Sequence, residues 1–499
     1  SVTIGASGVV QTVSGIPFFS DTSNGSIYTH DVSGTDSTAE GNVAYGLQAL
    51  DAITTGDYNT AIGYQALSAQ SEGEGNVAVG QAALLANTTA GNNLAVGKSC
   101  LLANTTGTRN IGIGNRTNDQ ADTENDNLAI GYEAMTGVVA GGEYNVAIGN
   151  YCLDELTSAD YCTAVGYKAG TAVSTGAANI FMGYEAGNGV TTGGYNIAIG
   201  MQTLNQADAE PNNLAIGYST MSGAVNGGEY NVAVGSYVLD ALTSGDNNTF
   251  VGSNAGTDVT TGDHNVGVGF NALVSGTSLH ENTAIGRNAG QVNVSGDANV
   301  YVGYYAGNNG TADNRCIFIG KNTGSSSPND GDNDAIVIGN EINTTGSNYF
   351  AFGKSGNIVY NQFTSNATFT RSSDERWKKN ITTNTDCGLG FINDLRTVTY
   401  NWKAPSELEN TNSEYNAEIT EHDYTGKMYG LIAQEVKTAM DNHNITDFAG
   451  WHKHKPNVSP DEKQGVSYEM FIMPLIKAVQ ELSAQITTLQ NEVNTLKGE

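Results

Sequence analysis

The chain has 499 residues, of which 63 are glycine and seven proline, and a formal net charge of −30. Its 21 basic residues against 51 acidic ones leave too little positive charge to neutralise a phosphate backbone or to dock on anionic lipid, which excludes nucleic-acid and membrane-surface partners. No apolar run is long enough to span a bilayer and Ser1 opens without a signal-peptide pattern; the missing initiator Met points to a processed chain or part of a longer one.

Residues 1–41 read as an N-terminal connector. From residue 42 a pentapeptide of the form Asn-x-Ala-x-Gly takes over: NVAYG ending at Gly46, NTAIG at Gly63, NVAVG at Gly80, NLAVG at Gly97, and so on to Gly303, with degenerate copies ending at Gly320, Gly339 and Gly353. The glycines fall 17 residues apart, occasionally 18, until the last two intervals stretch to 19 and shrink to 14. Such a fixed period is the signature of a solenoid. Each repeat alternates: in Asn145–Gly149, Val146 and Ile148 point to one side and Ala147 to the other. A second short segment such as Tyr151-Cys152-Leu153 follows, then turn residues such as Gly141–Asn145. Two short strands and two turns per repeat predict one coil of a parallel β-solenoid, nineteen coils in all, rising about 4.8 Å each.

A longer period lies over this one. The stretch around Gly131 recurs around Gly217, 86 residues later, so five coils were duplicated as a unit. Duplication is expected to lengthen a rod without creating a pocket. The small apolar face carrying Ala44, Ala61, Ala78 and Ala147 is expected to admit the close approach of another chain, and a homotrimer would bury it. Here the repeat resembles the β-roll heads of trimeric autotransporter adhesins, over roughly residues 42–355. That resemblance implies a trimeric, left-handed parallel β-roll; the alternating strands of a C-terminal membrane anchor are missing.

Four cysteines, Cys100, Cys152, Cys162 and Cys316, replace Ala or Asn of the repeat and read as small core fillers; with Cys387 the count is odd, and neither a disulfide framework nor a metal site is expected. Acidic turn residues such as Asp57, Glu143, Asp263 and Asp297 read as turn chemistry rather than Ca²⁺ ligands. Tyr58, Tyr144, Tyr195 and Tyr230 share one register, where stacking between coils is expected ahead of glycan binding. His452 and His454, with lysines between them, read as a solvated loop, so no metal or other cofactor is expected.

Near residue 370 the composition shifts. Residues 1–370 hold 8 basic and 32 acidic residues, 371–499 hold 13 and 19, and four of the seven prolines follow residue 400. Residues 356–372 read as a neck and cleavage linker. The stretch Ser373-Asp374-Glu375-Arg376-Trp377-Lys378, followed by Gly430–Val436 and then Val466-Ser467-Tyr468 leading into a long helix, resembles the self-cleaving intramolecular-chaperone domain of viral tail spikes, tail fibres and endosialidases. Trp377 stands where that family usually has an aliphatic residue.

The resemblance implies cleavage at the Ser372–Ser373 bond, with Ser373 as nucleophile and Lys378 as general base. A serine hydroxyl needs a neighbour to take its proton, and lysine serves only when burial or like charge lowers its pKa. Read by itself, Ser-Asp-Glu also suits a helix N-cap with acidic first-turn residues; Lys379 is the weaker candidate base. The last segment, 470–497, carries Ile472, Leu475, Val479, Leu482, Ile486, Leu489, Val493 and Leu496 at alternating spacings of three and four, a coiled coil. Its β-branched a and Leu d positions favour two strands, whereas the β-roll and both resemblances favour three.

The fold expected is therefore mainly β: a trimeric parallel β-solenoid of 17-residue coils, then a small α+β chaperone domain, 373–499, ending in a coiled coil. The function expected is that of a viral tail fibre of the virion, bound upstream to a tail or baseplate and attaching to a host-surface glycan or protein. Its enzymatic work is a single self-cleavage. A bacterial surface adhesin with the same chaperone and a glycan-degrading spike are the alternatives.

Overall fold

A computed structural model describes residues 2–498 apart from 5–9, 14–15, 18, 22–25, 29–37, 139, 327–330, 363–369, 372–374, 376–377, 409–414, 422–425 and 454–463. The chain divides into two compact units, Ser1–Ser372 and Ser373–Glu499.

The first unit is a parallel β-solenoid. Nineteen parallel strands, from Val43–Tyr45 to Tyr349–Lys354, follow one another at one per coil. Each is in register with the next, so that Val146, Ala147 and Ile148 lie against Thr163, Ala164 and Val165. The antiparallel strand Phe19–Asp21 precedes this ladder, and Asn357–Gln362 with Thr370–Arg371 closes it.

Two expectations from the sequence are corrected. Each coil holds one strand, of three residues in most coils, not two. The segment Tyr151-Cys152-Leu153 is a turn, because Tyr151 and Leu153 adopt φ of 58° and 49° and their amides bond to neighbouring coils above and below instead of a strand partner. The strand alternates as the sequence predicts, but with the faces reversed. Ala44, Ala61, Ala78 and Ala147 are buried inside the coil of a single chain, while the flanking Val and Ile face outward. The lumen explains this. Leu50, Leu67, Leu84, Leu101 and Leu153 project into it four residues after each repeat glycine, leaving room for only a methyl from the strand. Where the strand centre is aromatic, as at Phe181, the facing Leu is replaced by Gly170 and Gly187, whose Cβ atoms would collide with the ring.

The repeat glycine is needed twice over. Gly149 has φ of 139°, and a Cβ there would strike the carbonyl of Gly166 one coil on. The repeat asparagine is equally determined. Asn145 is fully buried; its Nδ2 donates to the Ala159 carbonyl at 2.8 Å and its Oδ1 accepts the Cys162 amide at 2.9 Å. This amide ladder satisfies turn carbonyls and amides that would otherwise be orphaned in the interior. Cys162 and Cys316 keep half of it, donating Sγ–H to the carbonyls of Gly176 and Asp332. Burial pushes the thiols of Cys100, Cys152 and Cys316 up to about 12.

The acidic turn residues serve the backbone: Asp57, Asp160, Asp246, Asp263 and Asp297 each accept an amide from the coil below. Tyr144 stacks on Tyr161 at 5.3 Å, and a second column that the sequence did not suggest runs through exposed Tyr132, half-buried Tyr151, and exposed Tyr167 and Tyr184.

The second unit is a small α+β domain. Helix α1 (Leu389–Asn393), α2 (Ala433–Asn442) and α3 (Ile472–Lys497) accompany two antiparallel pairs, Val398–Tyr400 with Met428–Gly430 and Trp451–Lys453 with Gln464–Val466. Pro474 sits in the first turn of α3, where its missing N–H is harmless, and Gly498 ends the helix in the left-handed region at φ of 71°. No helix among the described residues is long and apolar enough to cross a membrane.

Candidate functional site

The residues that the sequence assigns to self-cleavage lie at the start of the second unit. Ser372 and Ser373 fall outside the described residues, as do Arg376 and Trp377, so the structure gives the dyad no geometry. Lys378 is exposed, and its backbone amide donates to the Glu375 carbonyl at 3.0 Å.

The rest of the second unit is built on one apolar core. Phe391 on α1, Val436, Ala439 and Met440 on α2, Ile445, and Phe471 before α3 form its core. Phe391 and Phe471 lie parallel with ring centres 6.3 Å apart, and Phe448 meets both edge-on. The segment Gly430–Val436 is tied down at both ends. The Leu431 amide donates to the Tyr468 hydroxyl oxygen at 3.0 Å, and Glu435 pairs with Arg396 through two hydrogen bonds. Arg396 holds the Glu435 carboxyl below the usual carboxylate range.

Helix α1 is too short to stand alone and has no side-chain cap of its own. Glu481, from the middle of α3, supplies one by accepting the Leu389 amide at 2.7 Å. That amide, and then Lys477, lower the Glu481 pKa against the opposing effect of burial. Sequence reasoning missed this carboxylate because its partner is 92 residues away.

Two faces of this unit are apolar and open. A cleft of about 810 Å³ is lined by Ile392, Leu395, Val398, Leu431, Phe471 and Leu475, among others. Along α3 the residues Val479, Leu482, Ile486, Leu489 and Val493 are all exposed. Among the described residues no cluster of His, Cys, Asp or Glu could hold a metal ion. Cys387 is half-buried with its thiol pKa raised by burial, the opposite of what a nucleophile needs.

Residues 373–445 match the family described as the chaperone of endosialidase. It is a peptidase family, and self-cleavage is its general activity. The matched stretch opens at Ser373 and includes Lys378; Tyr468 and α3 lie beyond it. No curated protein matches the chain. A chaperone-of-endosialidase domain following a β-solenoid fits a protein of the tail-fibre or tail-spike type.

Proposed function

We propose that the protein is a homotrimeric viral fibre for host-surface attachment, whose C-terminal domain guides assembly and then severs itself at the Ser372–Ser373 bond. The observation that carries this reading is the junction at residue 373, where a long β-solenoid gives way to a stretch matching a self-cleaving peptidase family. In this reading residues 42–355 are the shaft, 356–372 the neck and cleavage linker, and 373–499 the removable chaperone. A region upstream ties the fibre to a virion tail or baseplate.

Two exposed faces support the trimer. The outward Val and Ile of the solenoid form a stripe that repeats once per coil over nineteen strands. A partner covering all of it must be as long and have the same period, and another copy of this chain meets both conditions. The exposed a and d residues of α3 need helical partners for the same reason. The stripe runs through nineteen coils whereas the helical seam is confined to α3, so we give the solenoid the greater weight and take three copies, as the β-roll resemblance implies, over the two that the a and d residues would favour alone.

In the cleavage step the Ser373 hydroxyl adds to the Ser372 carbonyl and Lys378 Nζ accepts its proton. The C–N bond then breaks as a proton passes to the Ser373 amine, and water hydrolyses the ester that remains. Lys378 is exposed in a single chain. A neighbouring copy that covers it would favour the neutral amine, so assembly would license cleavage. Losing the guide after folding leaves the shaft kinetically trapped in its assembled form.

The test is intact-mass and native-mass spectrometry of freshly made protein and its Ser373→Ala and Lys378→Met variants. A fragment starting at Ser373 beside a trimer of the remainder, with both variants uncut, is the expected result. Cleavage persisting in Ser373→Ala would remove the proposed nucleophile, and an uncut monomer would overturn the assembly as well.

A further inference from the structure

Two coils of the solenoid carry eighteen residues, Gly131 to Gly149 and Gly217 to Gly235, and they occupy the same place in the two copies of the duplicated unit. Beneath each stands a buried glutamate, in a register filled elsewhere by Gly73, Ala90 or Gly107. Glu124 accepts the amides of Asp122 and Thr123 at 2.8 and 3.0 Å, and from the longer coil the amide of Gly141 at 2.9 Å. Glu210 does the same for Asp208, Ala209 and Gly227, at 3.0, 3.1 and 2.7 Å. The carboxylate thus staples the longer coil to the one below and fixes the shape of the bulge.

Contrary to the expectation for a duplicated rod, the first bulge borders a groove of about 720 Å³. Its lining includes Thr105, Gln120, Asp122, Val138, Ala140 and Gly141. The Thr105 hydroxyl bonds to the Asp122 carboxylate, Gln120 and Asp122 are exposed, and Val138 stands on the lip with 64% of its surface exposed.

Comparing the two copies separates scaffold from lining. Eighty-six residues on, every polar side chain but one is kept, as Thr191, Gln206, Asp208 and Glu210, and Gly141 is kept as Gly227; Thr123 becomes Ala209. The walls change, Ala103, Val138 and Ala140 becoming Gly189, Ala224 and Asn226. Thr191 bonds to Asp208 as Thr105 does to Asp122. A bulge needs its Glu and its Gly. It does not need an exposed Gln, or an Asp in the register where Thr88, Thr157, Thr243 and Thr260 stand in other coils.

We propose that this groove and the matching surface at the second bulge are equivalent binding subsites for a neutral, hydroxyl-rich polysaccharide. This rests on the attachment reading and names its ligand class. An exposed carboxylate accepts from sugar hydroxyls, a primary amide donates and accepts, and Val138 offers an apolar edge to a sugar face. The acidic lining, on a chain of net charge −30, disfavours an anionic polymer. A cation is disfavoured because backbone amides already occupy the Glu124 oxygens. The grooves lie half a coil from the strands, so they stay open when copies cover the Val and Ile stripe. Five coils at about 4.8 Å set them about 24 Å apart along one side of the shaft, within reach of one repetitive chain.

The experiment probes the full chain on an array of neutral and anionic bacterial polysaccharides, with adsorption to bacterial cells in parallel. Gln120→Ala with Asp122→Asn disables the first groove, and Gln206→Ala with Asp208→Asn the second. All four side chains are exposed, so the variants are expected to keep the far-UV circular dichroism of the parent. The expected result is binding to a neutral polymer that falls about 100-fold with either groove disabled and vanishes with both. Binding only to anionic polymers, no binding at all, or binding unchanged when both grooves are disabled would overturn the proposal. Unchanged adsorption to cells by the doubly disabled variant would discard the grooves and keep the attachment reading; failure of the parent to adsorb to any cell would discard that reading too.

Discussion

The amide of Leu431 donates to the hydroxyl oxygen of Tyr468 at 3.0 Å, joining two segments 37 residues apart. Gly430, just before it, leaves the space that the hydroxyl fills, since a Cβ there would collide with the Tyr468 oxygen. Two motifs that stand separately in the sequence are one contact in the fold.

Tyr468→Phe removes the acceptor and is expected to destabilise the C-terminal domain by about 1 kcal/mol. Gly430→Ala forces the tyrosine aside and is expected to cost about 2 kcal/mol. Urea unfolding of the full chain, followed by tryptophan fluorescence from Trp402 and Trp451, measures both. Equal stability of the two variants would show that the close approach at Gly430 is unimportant.

The amide ladder predicts opposite outcomes in adjacent coils. Asn145→Ala orphans the Ala159 carbonyl and the Cys162 amide inside the solenoid and is expected to cost roughly 3 kcal/mol. Cys162→Asn gives the Asn179 amide the side-chain acceptor that its counterparts have, and is expected to leave the melting temperature unchanged or raise it. Calorimetry of the two variants decides.

The staple can be tested by a double change. Glu124→Ala leaves three amides without their acceptor and is expected to cost about 3 kcal/mol. Deleting Ala140 as well restores seventeen residues to that coil and is expected to recover most of the loss. If the two effects simply add, Glu124 does not serve the longer coil.

The reversal of strand faces separates folding from assembly. Ala284 is fully buried and its neighbour Ile285 is 44% exposed. Ala284→Glu puts a charge in the lumen and is expected to abolish folding, seen as loss of the far-UV β signal. Glutamate in place of Ile62, Ile113 and Ile285 together is expected to keep that signal and yield monomers by native mass. Trimers surviving the triple change would move the interface off this stripe.

Asp154 has its pKa raised to about 6, first by burial and then by Glu155 and Glu133. The folded chain therefore holds this proton more tightly than the unfolded one, so stability falls as pH rises from about 4 to about 6 and stays lower above. Asp154→Asn is expected to raise the melting temperature at pH 7.5 and leave it unchanged at pH 3.5. A constant difference at both pH values would assign the effect to packing.

How much of this was legible beforehand depended on whether a residue's partner lies at a fixed distance along the chain. Glycines every seventeen residues, followed four residues later in most coils by Leu, Met or Gly and preceded in most by a buried Asn, determine a parallel solenoid, because those three positions supply the turn, the lumen and the polar ladder of the coil. The composition shift near residue 370 and the three downstream motifs marked the second unit for the same kind of local reason. The glutamate staples were visible in principle: an acidic residue breaks a small-residue register just before each eighteen-residue coil.

Other features depended on distances that no local pattern encodes. Alternation put Ala147 and Ile148 on opposite faces, but only the filled lumen decides which face is inside, because its width is set by leucines from a different part of the coil. The Glu481 cap on α1 and the Leu431–Tyr468 bond join segments 92 and 37 residues apart. Local pattern thus settled the period of the solenoid and the presence of a self-cleaving-type domain after it. Tertiary packing decided the direction of each face and the partner of each buried polar group, since both follow from which atoms compete for the same enclosed volume.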